Sequence, residues 1–88
     1  MKLQKLIDEG ERFKKYNTEE IYNNKVMEEN SEKWINNSIS YLKEYYPESV
    51  LTSDFIEESK KVDKNYGNMV GILKGLRDVE EELGLLDE

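Results

Sequence analysis

Eighty-eight residues, 36% hydrophobic and 38% charged, allow one domain with a thin core, because a chain this short hides only about 60–65% of its unfolded surface. Cysteine and histidine are both absent, which removes disulfides, thiol nucleophiles and the commonest metal and acid–base ligand. A net charge of −7 argues against direct nucleic-acid binding, which needs a basic surface to displace counterions.

The opening MKLQKLIDEGE becomes charged before any apolar run develops, so neither a signal peptide nor a membrane span is expected, and the setting is read as cytoplasmic. Leu3, Leu6, Ile7, Gly10 and Phe13 then fall at steps of three and four, the spacing of one helix face. Asn17 with Glu20 three places on forms a capping-box pattern, followed by a short helix or an ordered loop. From about Glu28 to Tyr46 a strong stripe runs through Trp34, Ile35, Ser38, Tyr41, Leu42 and Tyr45, and Pro47 ends it. Thr52 or Ser53 is expected to cap a third helix carrying Leu51, Phe55, Ile56, Ser59 and Val62. After a break at DKNYGN, with Asn65 as its cap, a last helix carries Tyr66, Met69, Val70, Leu73, Leu76, Val79, Glu80 and Leu83, with Gly84 as its stop. No alternating strand pattern or Asn-Gly turn competes. The fold class is all-α, a single domain over residues 1–88 built as a small bundle of three to four helices.

Two features of the last helix point toward function. Gly67, Gly71 and Gly75 stand four residues apart, each costing about 0.5–1 kcal/mol relative to alanine in a helix. Such a row marks a close approach: a neighbouring helix of the same chain, a second chain in a homo-oligomer, or a groove floor for a ligand. Around it, residues 60–77 hold Lys60, Lys61, Lys64, Lys74 and Arg77 against Asp63 alone, a local +4 in an acidic protein. Lys60, Lys64, Tyr66, Lys74 and Arg77 are therefore candidate contacts for a small anionic ligand, with amides at the helix start near Tyr66 and Gly67 available to phosphate. Tyr22 and Tyr46 lie off the apolar stripe and are candidate partner-facing aromatics.

The segments LIDEGE (Leu6 to Glu11), KWINNSISYLKEYYP (Lys33 to Pro47) and GILKGL (Gly71 to Leu76) resemble a helical module at the front of uncharacterised bacterial proteins associated with phage defence. In that family the module leads into a larger C-terminal domain. The resemblance implies a helical, non-catalytic part, and a free-standing copy would suit a decoy, an inhibitor or an autonomous relative.

Catalytic and metal chemistry find little footing. Neighbouring carboxylates such as Glu19/Glu20, Glu28/Glu29 and Glu57/Glu58 point in different directions on a helix and read as solvated surface. GNMVGILKG lacks the Gly-x4-Gly-Lys-Ser/Thr pattern and a preceding strand, and the acids at 80–82 have no EF-hand spacing. No catalytic residue, metal site or cofactor is assigned. The expectation is a helical binding module that self-associates and engages a macromolecule; the alternatives are an oligomer sequestering an anionic nucleotide and an acidic mimic of nucleic acid.

Overall fold

The computed structural model describes residues 2–82. They form five helices: α1 (Lys2–Lys14), α2 (Thr18–Tyr22), α3 (Lys25–Tyr45), α4 (Val50–Lys60) and α5 (Tyr66–Glu82). The all-α expectation holds, with the capping-box segment realised as the short α2. Asn17 accepts the Glu20 amide at 2.7 Å while the Glu20 carboxylate accepts the Asn17 amide at 3.2 Å, and that closed pair is what makes five residues helical.

The other boundaries follow from caps. Asn24 accepts the Met27 amide at 3.1 Å, so α3 begins three residues before the apolar stripe suggested. At its far end the Tyr46 amide still reaches Leu42 O at 2.8 Å, and Pro47 forbids another turn. The cap of α4 is Ser49, whose hydroxyl accepts the Leu51 amide at 3.1 Å, and not Thr52 or Ser53. Thr52 instead donates to Tyr46 O at 2.6 Å, closing the α3–α4 corner. Asn65 accepts the Asn68 amide at 2.9 Å and starts α5 as expected. Val62, assigned to an apolar stripe, lies beyond α4 and is exposed. Leu83 and Gly84 lie outside the described residues.

Helix α1 lies between α3 and α5, α4 packs on both α3 and α5, and α2 rests on α3. Pairing of Glu11 with Lys74 and of Gln4 with Arg77 runs α5 antiparallel to α1. At the centre Trp34 is 1% exposed, with its ring 5.8 Å from Phe13, 5.8 Å from Phe55 and 6.0 Å from Tyr66. Its indole N–H donates to Leu6 O at 2.7 Å, so the largest core side chain leaves no buried donor unpaired. Gly10 makes this possible: a β-carbon built there would lie 2.7 Å from Val70 Cγ2 and 2.9 Å from Trp34 Cε2. The close approach that glycine permits within the described chain thus occurs on α1.

The turn into α5 depends on Glu58, which the sequence pattern placed on solvated surface. It is buried; one carboxylate oxygen accepts the Asn65 amide at 2.8 Å and the other the Lys61 ammonium at 3.1 Å. The Asn65 hydrogen bond above all holds its pKa below the ordinary carboxylate value, against the opposing effect of burial.

Gly10→Ala should lower the unfolding free energy by about 1–3 kcal/mol through overpacking, whereas Gly71→Ala, with no atom within 4 Å of the added carbon, should raise it by about 0.5–1 kcal/mol; urea titrations of the two variants should move in opposite directions. Because the folded pKa of Glu58 lies below its unfolded value, its contribution is fully present above the unfolded value, neutral pH included, and is lost as pH falls through the folded one. Denaturation midpoints recorded from pH 7 downward should therefore drop more steeply at acid pH for the wild type than for Glu58→Gln.

Candidate functional site

The basic island of the sequence does not converge in space. Lys74 turns to α1, where its ammonium meets Glu11 at 2.9 Å; that bond holds the Glu11 carboxyl below its ordinary pKa. Arg77 donates to Gln4 on α1 at 3.2 Å and approaches its neighbour Asp78 at 3.4 Å. Lys64 turns to α2, donating to the Tyr22 hydroxyl at 2.9 Å with its nitrogen 5.3 Å from that ring's centroid. Lys60 is left exposed at the end of α4.

Tyr66 is a correction. It is 3% exposed and stacks in the core beside Phe13 and Trp34, so it offers no surface to a ligand. The two adjacent tyrosines of α3 also exchange roles. Tyr46 leaves the helix at φ −137°, ψ 54°, which turns its ring back onto the core edge, half-buried. Tyr45, placed on the apolar stripe, is 59% exposed. Tyr22 is partly exposed as expected, with Lys64 as its companion.

The glycine row lies on the outer face of α5, opposite the buried stripe of Met69, Val70, Leu73 and Leu76. A β-carbon at Gly71 or Gly75 would meet nothing within 4 Å, and one at Gly67 would meet chiefly the cap side chain Asn65 at 3.0 Å. Among the described residues no neighbouring helix closes on Gly71 or Gly75, so the close internal packing expected of the row is not found at those two positions. Gly67 and Gly71 line a shallow furrow of about 580 Å³ between α4 and α5, where Asp54, Glu57 and Glu58 outnumber Lys61. An anionic ligand would find acids there, which removes the local support for a phosphate cradle.

A second groove, which sequence reasoning missed, runs along α1 and the first half of α3 and encloses about 1040 Å³. Its wall carries Lys5, Arg12, Lys15 and Lys33 against Asp8 and Glu9, a positive strip on a protein of net charge −7. None of those four cations enters an ion pair among the described residues, unlike Lys61, Lys74 and Arg77. Phe13 and Trp34 back the groove, Met27 sits half-buried in it, and Tyr16 and Val26 stand at its rim, 40% and 68% exposed. Trp34, packed against Gly10, joins α3 to α1 behind the groove. The one sequence signal for it is Lys5 and Arg12 seven residues apart, two helical turns on one side of α1; Lys33 arrives only through the tertiary fold.

Among the described residues no group of three or more acids gathers as a metal site, and no helix is long and apolar enough to cross a membrane. Comparison with protein families, with characterised proteins and with solved structures finds no match.

Replacing Lys64 by methionine removes its hydrogen bond and cation–π contact to Tyr22, a partly exposed pair expected to contribute at most about 1 kcal/mol; urea denaturation should register a change no larger than that.

Proposed function

We propose that the protein is a non-enzymatic helical interaction module that binds a protein partner through the groove between α1 and α3. The observation that carries this reading is the combination in one groove of unpaired cations with accessible apolar side chains: exposed Tyr16 and Val26 and half-buried Met27 beside Lys5, Arg12, Lys15 and Lys33. Exposed aliphatic and aromatic groups flanked by charge suit a desolvated centre with a polar rim, the anatomy of a protein interface. Long, open and lined by two helices, the groove has the shape that receives a further helix. The anionic-nucleotide alternative keeps only Lys60 of its five proposed residues free, since Tyr66 is core and Lys64, Lys74 and Arg77 are each engaged within the chain. A setting in bacterial defence or phage counter-defence rests on the resemblance of LIDEGE, KWINNSISYLKEYYP and GILKGL alone.

The test compares three baits in extract of the source cells: the wild type, Val26→Glu in the groove, and Val62→Glu on the exposed turn after α4. A species retained by the first and third and lost with the second supports the groove as the interface. Equal retention by all three overturns it.

A further inference from the structure

We infer that the groove's occupant is the outer face of α5 from a second copy of this chain, so that copies associate head to tail; this rests on the groove being an interface. Three observations meet here. First, the two surfaces are oppositely charged: four cations against two acids line the groove, while the α4–α5 furrow exposes Asp54 and Glu57, its one lysine, Lys61, being paired with the buried Glu58. Asp78, Glu81 and Glu82 extend that acidic surface along the exposed side of α5. Second, Gly71 and Gly75 leave the α5 backbone bare on that face, with open space above both positions. A helix without side chains on one line can seat deeply between two others, and Val79, 45% exposed, lies on the same side to meet the half-buried Met27 and the rim residue Val26. Third, a chain cannot satisfy the match by itself, because its own α5 is fixed against α1 with this face turned outward.

The glycines thereby acquire a purpose that the isolated chain does not provide. Because the two surfaces are different patches of one molecule, the contact is heterologous, and repetition gives a closed ring or an open filament according to the rotation between copies. Opposed charge also makes the association sensitive to salt.

The experiment is sedimentation of the wild type and two charge-reversed variants, Arg12→Glu/Lys15→Glu in the groove and Asp78→Lys/Glu82→Lys on α5, with helical content checked by circular dichroism. All four positions are exposed, so the folds should survive. The wild type should assemble, and more strongly at low salt. Each variant alone sets like charge against like and should dissociate, with association weakened about tenfold or more. An equimolar mixture should reassemble, because each variant's altered surface then faces the other's complementary one. Gly71→Leu should also dissociate the assembly while keeping its helical content. A wild type that stays monomeric across concentration and salt overturns the inference, as does a mixture that fails to reassemble. If the wild type is monomeric but Val26→Glu still releases a different protein, the homotypic occupant is wrong and the groove remains an interface; if Val26→Glu changes nothing as well, both fail.

Discussion

The meeting of Trp34 with Gly10 is the constraint on which the other contacts depend. One indole lies against the bare backbone of α1, donates its proton to Leu6 O, and gathers Phe13, Phe55 and Tyr66 around it from three other elements. Charged residues slightly outnumber hydrophobic ones in this chain, so the apolar area available for burial is small. Concentrating it around one large ring is an efficient use of it, since an aromatic side chain removes about 150–250 Å² from water. The Trp34–Gly10 contact joins α1 to α3, and the groove lies over it with Phe13 and Trp34 at its back.

Electrostatics complete the positioning. Lys74 and Arg77, which in sequence belong to a cationic cluster, act in space as ties from α5 to Glu11 and Gln4 of α1. Lys64 ties the loop before α5 to α2 through both its carbonyl, which accepts from Thr18, and its ammonium at Tyr22. Glu58 holds the same loop from the α4 side. The cations that hold the bundle are thus withdrawn from external use, and the positive strip of the groove is supplied instead by Lys5 and Arg12 of α1, Lys15 just after it and Lys33 of α3.

What could be read from the sequence was whatever depends on near neighbours. The helical stripes of α1, α3 and α5, the Asn17–Glu20 capping box, the stop at Pro47 and the cap at Asn65 all rest on interactions spanning four residues or fewer. What could not be read depended on where distant side chains meet. Helical spacing does not reach Tyr46, because the backbone has already turned there and carries its ring back to the core edge; Tyr45, the last helical residue, is 59% exposed although its spacing puts it on the apolar stripe. Glu58 looked like one more surface acid because its partner is an amide seven residues away. The glycines of α5 advertised a close approach by their regular spacing, whereas Gly10, single and unremarkable in sequence, is the one that makes such an approach inside the chain.

Trp34 is the protein's single tryptophan, and its ring closes the back of the groove while remaining almost wholly out of water. Its near-ultraviolet emission therefore arises from one known position, at the joint between α1 and α3. A molecule entering the groove would perturb the surroundings of that ring, and loss of the α1–α3 contact would expose it. The side chain that organises the interior is also an intrinsic optical probe, able to distinguish occupation of the groove from unfolding without any added label.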